Sequence, residues 1–348
     1  MAKLNSVDKV RCDNYFDNLI NEGVSSCFSI AVSVKGKLAY TYCKGNESAD
    51  KASSPLTPET RFNIASVTKP VTAFFAMKLV EEGLICLNDN VKKHIPEYPF
   101  EETTIMNLIT HSAGYDPYAR ILPKSKREDH HEYFQLLYQI TELKNEIGKV
   151  SEYWSPGYSI LTDIIERVSG KGLEELAREV LFDPLEMDLS TYELSNLERE
   201  NYFALWNSKS AQLTEDFHHK NITGDSGLYT TATDLIKFTD MILAGGTYMD
   251  KQIISRATSD RMLTESTGGK FNMSPIFWTR GDLNPQGCFG DLNSSRTCGH
   301  TGMSGCMMFV DPAYDLSGVI LTNSIIMHED WKNYKKICNL LTALATSR

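Results

Sequence analysis

The stretch FNIASVTKPVTAFFAMKLVEEG, residues 62–83, reads as an amphipathic helix, yet it carries Lys69 and Pro70 among apolar residues. Proline lacks a backbone N–H and clashes with the preceding turn, so a helix tolerates it only in the first turn. The helix is therefore predicted to begin close to Ser66. At such a position, unpaired backbone N–H groups and the helix dipole favour a developing negative charge.

Lys69 follows Ser66 by three residues and so lies one turn away on the same helix face. In a largely apolar setting a lysine ammonium loses favourable solvation, and the amine can take up the serine proton. The pair would then be an activated nucleophile. The alternative is that Ser66 is only an N-cap and Lys69 a solvated side chain that snorkels past apolar neighbours. Because Ser-x-x-Lys is common by chance, other segments of the sequence must decide between these two interpretations.

The composition is that of an ordinary globular protein with an acidic balance. The 348 residues are 41% hydrophobic and 23% charged, and the formal net charge is −10. This charge predicts no nucleic-acid partner. The N-terminal MAKLNSVDKVRCDNYF lacks the apolar core of a signal peptide, and no apolar run reaches about 18 residues. We therefore expect a cytoplasmic protein without a membrane partner.

Cysteine and histidine positions predict neither disulfides nor a metal centre. The eight cysteines are scattered without a CxxC pair, which in a chain without a secretory signal indicates reduced, mostly buried thiols. The adjacent pairs His130–His131 and His218–His219 point away from each other on most backbones, so we expect solvated surface histidines. We expect no metal and no organic cofactor.

Strands are predicted at both ends of the chain and helices between them. CFSIAVSVKGKLAYTYCKG (27–45) alternates as a β-hairpin, and CMMFVDPAYDLSGVILTN (306–323) reads as two strands around an Asp-Pro turn. The best loop candidate is residues 115–131. Helical patterns cover residues 70–83, 132–146, 158–171, 231–244 and 329–346. The chain ends are therefore expected to pair in one antiparallel sheet of an α+β fold.

Several motifs together resemble the serine β-lactamase and penicillin-binding protein superfamily, especially its class C-like esterase and D-alanyl-D-alanine peptidase branch. SVTK (66–69) is similar to the Ser-x-x-Lys nucleophile motif. Further landmarks follow in the family's order: LITHSAGY (108–115), YWSPGYSILTDIIERVSG (153–170), GLYTTATDLIKFTDMILAGG (227–246) and GHTGMSGCMMFVDPAYDLSGVILTN (299–323). The resemblance covers roughly residues 25–345.

The resemblance implies the β-lactamase/penicillin-binding-protein fold. Residues 1–62 and 225–348 would form an α/β lobe around the antiparallel sheet, with terminal helices. Residues 63–224 would form a mostly helical lobe, and the active site would lie between the two.

The resemblance also implies roles for individual residues. Ser66 would be the nucleophile that forms an acyl-enzyme, and Lys69 its proton acceptor. Tyr153 matches the tyrosine that shares the acid/base work and helps to protonate the leaving group. The alternative for Tyr153 is an ordinary half-buried aromatic residue.

His300-Thr301-Gly302 matches the Lys/His-Thr-Gly motif on a strand edge that faces the serine. Thr301 would hydrogen-bond a substrate carboxylate or carbonyl, and Gly302 would let the substrate lie against the backbone. The backbone N–H groups of Ser66 and Met303 would form the oxyanion hole. His300 is predicted as a catalytic residue, with a structural strand residue as the alternative. His111 is expected to be a capping or packing residue and not a catalytic base.

The second motif departs from the family pattern at two positions. Ser155 stands where asparagine is usual, and Trp154 replaces the intervening serine. Serine is shorter and offers a single hydroxyl, so efficient β-lactam hydrolysis is not expected, although Ser155 is still predicted to bind substrate. Histidine at 300 also lacks a permanent charge for a substrate carboxylate. Trp154 is predicted to wall the pocket, and the alternative is that it turns into the helical lobe.

The sequence thus predicts a serine hydrolase that acts through an acyl-enzyme on a small ester or amide, without a cofactor. A cytoplasmic location argues against trimming of cell-wall peptides. One alternative is acyl transfer to an alcohol or amine, if water is excluded from the acyl-enzyme. Another is a non-catalytic or slowly deacylating sensor on the same fold.

Overall fold

The strands of the main sheet come from the two ends of the chain in the computed structural model, which describes residues 6–47, 54–117, 130–193, 205–207, 212–214 and 223–347. The strands are β1 (Cys27–Val34), β2 (Lys37–Gly45), β3 (Phe62–Asn63), β4 (Leu205–Asn207), β5 (Gln212–Thr214), β6 (Tyr229–Thr230), β7 (Thr247–Tyr248), β8 (Lys251–Gln252), β9 (Trp278–Thr279), β10 (Cys298–Thr301), β11 (Met307–Asp311) and β12 (Leu316–Leu321). Six of them form one antiparallel sheet in the order β2-β1-β12-β11-β10-β9.

Strand β1, near the start of the chain, pairs with β12, near its end. The antiparallel register runs from Ser29 opposite Leu321 to Val34 opposite Leu316. β1 also pairs with β2 as a hairpin, and β11 pairs with β12. The predicted hairpin, the predicted pair of C-terminal strands and the α+β sheet built from both chain ends are confirmed.

The helices cover the sheet and fill the middle of the chain. They are α1 (Ser6–Asn21), α2 (Thr68–Glu81), α3 (Val91–His94), α4 (Ile105–Ile109), α5 (His130–Tyr138), α6 (Pro156–Ser169), α7 (Leu173–Ala177), α8 (Ala232–Leu243), α9 (Arg256–Met262), α10 (Ile325–Glu329) and α11 (Lys332–Thr346). A 3-10 turn, Ala65–Val67, precedes α2, and a π-helical turn, Arg178–Phe182, follows α7.

Both faces of the sheet are buried against helices. On one face, Phe28 and Ile30 of β1 belong to a cluster with Phe16 of α1 and Tyr334 of α11. On the other face, Ala31 belongs to a larger cluster that extends through α8, α2 and α6. Removal of this apolar surface from water stabilises the layered arrangement. The division of the chain into two lobes stays a prediction.

Most of the predicted helices agree with the structure to within a few residues. The patterns at 70–83, 158–171, 231–244 and 329–346 correspond to α2, α6, α8 and α11. Local signals explain the boundaries: Thr231 caps α8 by accepting a hydrogen bond from the Asp234 N–H, and Gly170, with φ 70°, ends α6.

The helix predicted over 132–146 is wrong in its second half, because α5 ends at Tyr138. The following chain instead returns to the segment after α4, where the N–H groups of Lys144 and Asn145 donate to the Gly114 carbonyl. Gly114 has φ +87°, and a Cβ there would lie 2.4 Å from the Asn145 carbonyl oxygen. Tertiary hydrogen bonds therefore replace the helix that the local pattern favours.

The remaining predictions fall partly outside the described residues. The loop predicted over 115–131 is described only at Tyr115–Pro117 and at its last two residues, which begin α5, and the pair His218–His219 is not described. Six cysteines are buried, which confirms mostly buried thiols: Cys12, Cys27, Cys288, Cys298, Cys306 and Cys338. Within the described ranges, no helix combines the length and apolarity needed to cross a bilayer.

Candidate active site

The 3-10 turn Ala65–Val67 carries Ser66 to the entrance of α2. Ala65 has φ 46°, an uncommon conformation for a residue with a side chain, and its N–H donates to Asn63 Oδ1 at 2.8 Å. The α-helix begins at Thr68, so Pro70 lies in its first turn as predicted. Ser66 therefore lies where backbone N–H groups have no intrahelical partner.

The Lys69 side chain is fully buried, with 0% of the residue exposed. Its Nζ lies 3.1 Å from Ser66 Oγ and 2.8 Å from Ser155 Oγ. It also donates to the Asp225 carbonyl oxygen at 2.7 Å. The structure thus brings Ser66, Lys69 and Ser155 together, and the alternative of a solvated lysine is excluded.

Asp225 is a site residue that the sequence analysis missed. The Ser155 hydroxyl donates to Asp225 Oδ2 at 2.9 Å, so Ser155 belongs to the lysine network. Ser155 also lines the cavity, and its substrate contact stays a prediction. Asp225 reaches this position because Gly224 packs against α6, where a Cβ at residue 224 would lie 2.2 Å from Thr162 Oγ1. The available signal was a polar Gly-Asp-Ser-Gly turn just before a short strand.

Tyr153 stands at the opening of the site. It is 40% exposed, and its ring centroid lies 5.1 Å from Lys69 Nζ. The ring packs on that of His111, with centroids 4.3 Å apart. The structure therefore places Tyr153 beside the serine–lysine pair, with access to solvent.

His111 packs beneath Tyr153 and is buried. Its Nδ1 lies 3.3 Å from the Trp154 backbone N–H group, which can donate to it. Burial, with a smaller contribution from the Lys69 charge, lowers the pKa of His111 to about 3. A neutral, packed histidine agrees with the expected packing role.

His300 lies on β10 and is also buried, with Nδ1 2.7 Å from the Thr301 carbonyl oxygen. Its ring stacks on that of Trp278, with centroids 4.0 Å apart. Burial, together with the nearby Lys69 charge, holds the pKa of His300 well below its usual value. The side chain therefore lies behind Trp278, close to Tyr153 but shielded from solvent.

The residues after His300 border the cavity next to Ser66. Thr301 lines the cavity, and its Oγ1 is buried without a hydrogen-bond partner in the part of the chain that the structure describes. A Cβ at Gly302 would lie 2.4 Å from the Ile64 carbonyl oxygen. Close packing of β10 against the serine turn thus accounts for this glycine. Met303 lines the cavity and is 37% exposed.

The structure does not bring the Trp154 side chain to the substrate cavity, which corrects the predicted substrate contact. The residue is 4% exposed, and its indole stacks on Tyr115 with centroids 3.8 Å apart. The reason is that Trp154 lies two residues before α6, and apolar side chains of the helical region cover its ring. Of the two alternatives, the structure shows the one in which Trp154 turns inward.

The cavity beside Ser66 has a volume of about 940 Å³ and two unlike walls. Polar side chains near Lys69 form one wall, and they include Ser155, Asp225 and Ser226. The other wall is apolar and includes Phe271, Met273, Trp278 and Trp331. Such a cavity suits a small organic molecule with one polar and one apolar end. No cluster of three or more histidine, cysteine or acidic residues suited to a metal ion occurs within the described residues.

Comparison with known proteins agrees with this architecture. The beta-lactamase family model matches residues 13–332. N-acetylmuramyl-L-alanine amidase of Bacillus subtilis (strain 168) is 24% identical over 88% of this chain and 80% of its own length.

Two solved structures share the fold. One is EstCE1, a hydrolase with promiscuous acyltransferase activity, with a TM-score of 0.81 and 19% identity over 97% of this chain and 100% of that one. The other is the octameric penicillin-binding protein homologue from Pyrococcus abyssi. It has a TM-score of 0.76 and 25% identity over 92% of this chain and 76% of that one. With the family model matched over most of its length, the chain belongs to the beta-lactamase family and is a serine hydrolase.

Proposed function

We propose that the protein cleaves a small ester or amide, as an esterase or a D-amino-acid peptidase does, through an acyl-enzyme on Ser66. The observation that carries the proposal is the 3.1 Å separation between the buried Lys69 Nζ and Ser66 Oγ, next to a cavity of about 940 Å³. A hydroxyl held against a buried amine is an activated nucleophile when the amine is neutral.

In the proposed acylation step, Ser66 Oγ attacks the substrate carbonyl carbon and its proton passes to Lys69 Nζ. The backbone N–H groups of Ser66 and Met303 stabilise the resulting oxyanion. The bond to the alcohol or amine then breaks, and this leaving group takes a proton from Tyr153. The Lys69 ammonium returns a proton to Tyr153, which restores both groups. Attack by water on the acyl-enzyme follows the same steps and releases the acid.

The remaining cavity residues suggest how a substrate binds. Thr301 offers a hydroxyl without a hydrogen-bond partner among the described residues, and it can bond a substrate carbonyl or carboxylate. The apolar wall around Trp278 and Trp331 suits a hydrocarbon or aromatic group. The amidase name of the Bacillus subtilis relative supports acyl chemistry on an amide.

Acyl transfer is the second candidate, and the apolar wall favours it because exclusion of water prolongs the life of an acyl-enzyme. The acyltransferase activity named for EstCE1 supports the same possibility. Addition of a primary alcohol to the ester assay distinguishes the two: a transferase produces a new ester at the expense of the free acid.

Labelling with a fluorophosphonate probe tests the nucleophile. We expect the protein to be labelled, Ser66→Ala to lose all labelling, and the exposed control variant Ser54→Ala to retain it. Labelling of Ser66→Ala at the level of the unmodified protein would remove Ser66 from the proposal.

Pre-steady-state assays with substrate in excess over the protein test the reaction. With p-nitrophenyl acetate, a D-amino-acid amide and a chromogenic cephalosporin, we expect steady turnover of the ester or the amide. A burst of product without further turnover would instead identify a slowly deacylating sensor.

A further inference from the structure

We infer that Ser155 and Asp225 act as an orienting pair that directs the lone pair of the Lys69 amine toward Ser66. In this assignment Asp225 is a positioning residue, because it acts on the base through another side chain. The inference rests on the proposed acyl-enzyme function and adds to it the device that makes Lys69 a base.

The direction of each hydrogen bond follows from which atoms can donate. A carboxylate only accepts, so the single hydroxyl hydrogen of Ser155 points to Asp225 Oδ2, 2.9 Å away. The Ser155 oxygen must therefore accept at its other short contact, from Lys69 Nζ at 2.8 Å. The Asp225 carbonyl oxygen also only accepts, and it takes a second Lys69 hydrogen at 2.7 Å.

These two acceptors occupy both hydrogens of a neutral amine. Ser66 Oγ, 3.1 Å away, is the third oxygen in contact with Nζ, and in the amine form the lone pair is left for it. The serine proton can then be donated directly to that lone pair. When the amine becomes an ammonium, the same two acceptors stabilise its charge, so the network suits both states of the base.

The scaffold holds Asp225 firmly in place. Thr72 of α2 donates to the Gly224 carbonyl at 2.6 Å, and a Cβ at residue 224 would meet Thr162 of α6. Asp225 is thus fixed to the helix that carries Lys69 and to the helix that begins after Ser155. A side chain added at residue 224 would move both acceptors.

Removal of the Asp225 carboxylate leaves the direction of the hydrogen bond between Ser155 and Lys69 undetermined. In Asp225→Ala the Ser155 hydroxyl has no fixed acceptor and can donate to the Lys69 lone pair, where it competes with Ser66. In Asp225→Asn the amide oxygen can still accept from Ser155, so the direction of the bonds is preserved without the charge. The inference therefore predicts different outcomes for these two variants.

Stopped-flow acylation by p-nitrophenyl acetate, followed as the first turnover of p-nitrophenol, tests the inference. We expect Asp225→Ala to lower the acylation rate constant by about 10- to 100-fold with little change in KM, which is typical of a misoriented catalytic group. Asp225→Asn should retain most of the rate. The control Asp282→Ala removes an exposed carboxylate that does not line the cavity, and it should match the unmodified protein.

A double-mutant cycle provides the second readout. Ser155 and Asp225 act through one hydrogen bond. The double variant Ser155→Ala/Asp225→Ala should therefore lower the acylation rate constant no more than the more damaging single substitution does. Additive losses overturn the inference, and so does an Asp225→Ala rate equal to that of the unmodified protein. Equal losses in Asp225→Ala and Asp225→Asn also overturn it, because charge and not bond direction would then matter.

The design separates this inference from the proposed function. If the unmodified protein is not acylated at Ser66, the proposed function fails. If it is acylated and the Asp225 variants are normal, only the orienting pair fails. Thermal melting verifies that each variant is folded. If Asp225→Ala does not fold, the acylation rate constant of Ser155→Ala alone tests the orienting pair, and a value equal to that of the unmodified protein overturns it.

Discussion

Gly302 shows how one residue links the sheet to the nucleophile. Its Cα approaches the Ile64 carbonyl so closely that an added Cβ would lie 2.4 Å from that oxygen. Ile64 directly precedes the turn that holds Ser66, so strain at Gly302 displaces the nucleophile as well as β10. The sequence predicted a glycine that admits substrate, which stays a prediction, and the structure adds packing against the serine turn as a reason for glycine here.

We expect Gly302→Ala to lower both activity and stability. Overpacking of this kind costs about 1–3 kcal/mol, and movement of the serine turn should reduce ester turnover by about 10²-fold. Urea unfolding and a p-nitrophenyl ester assay measure the two effects. Gly172→Ala is the matched control, because no atom lies within 4 Å of a Cβ built at residue 172. An active, stable Gly302→Ala protein contradicts the prediction.

At the scale of elements, the short strand β9 brings an aromatic wall to the site. It pairs with β10 at Cys298 and Gly299, and this pairing places Trp278 over His300. Trp278 thus forms part of the apolar cavity wall and also shields the histidine from water.

We expect Trp278→Ala to reduce kcat/KM for long-chain esters more than for short ones. Loss of the indole removes apolar contact with the acyl chain, and one methylene is worth about 1 kcal/mol in such a pocket. A series of p-nitrophenyl esters from acetate to octanoate measures the effect, with acetate as the internal control. A uniform loss along the series would show that Trp278 does not contact the acyl chain.

Sequence reasoning succeeded where the determinants are local. Pro70 indicated the start of α2, and the three-residue spacing between Ser66 and Lys69 placed them on one helix face. It failed where packing between segments that are distant in sequence determines which side chains meet. The partnership of Ser155 with Asp225 depends on packing between α2, α6 and the turn before β6, which no local pattern encodes.

The orientation of the Trp154 side chain and the end of α5 were missed for the same reason. The sequence placed Trp154 beside the catalytic motif but could not show that Tyr115 covers its ring. The helical pattern after Tyr138 was real, but hydrogen bonds to Gly114 compete with it. Tertiary contacts override local preference at both places.

At the scale of the whole molecule, buried histidines make stability depend on pH. The pKa of His111 falls from 6.5 to about 3 on folding, so between these values the unfolded chain binds a proton that the folded one does not. Stability is therefore complete above the unfolded pKa and is lost as the pH falls below it. His300 acts in the same direction, whereas burial raises the pKa of Asp240, which acts in the opposite direction.

We expect His111 alone to reduce the free energy of unfolding by about 2 kcal/mol at about pH 5, relative to neutral pH. Urea unfolding at both values measures this difference. In His111→Asn, whose side chain does not titrate and tolerates the positive φ of this residue, the difference should shrink by that amount. An unchanged difference would show that His111 is not a source of acid sensitivity.

The mouth of the cavity carries positive charge although the whole chain is acidic. Lys149 and Lys270 line it, and the Lys270 ammonium donates to the Gly148 carbonyl at 2.5 Å. Among the described residues, no ion pair involves either lysine. The whole chain has a formal net charge of −10, which repels anions, whereas these two lysines give the mouth a local attraction for them.

We expect an ester with a free carboxylate, such as mono-p-nitrophenyl glutarate, to have a lower KM because of this positive charge. Lys149→Gln combined with Lys270→Gln should raise its KM about 3- to 10-fold and leave neutral p-nitrophenyl butyrate unaffected, with the difference reduced at high salt. Lys251→Gln, which changes an exposed lysine of strand β8 that does not line the cavity, is the control. Equal effects on both esters contradict the prediction.

The pairing of Ser29 with Leu321 has a consequence for biosynthesis. The ribosome makes β1 long before β12 exists, so the nascent chain exposes a strand that is buried on both faces in the folded protein until translation is nearly finished. Contacts so distant along the chain form slowly. Chaperone binding to the growing polypeptide should therefore matter more for its yield than for a protein whose sheet is contiguous in sequence.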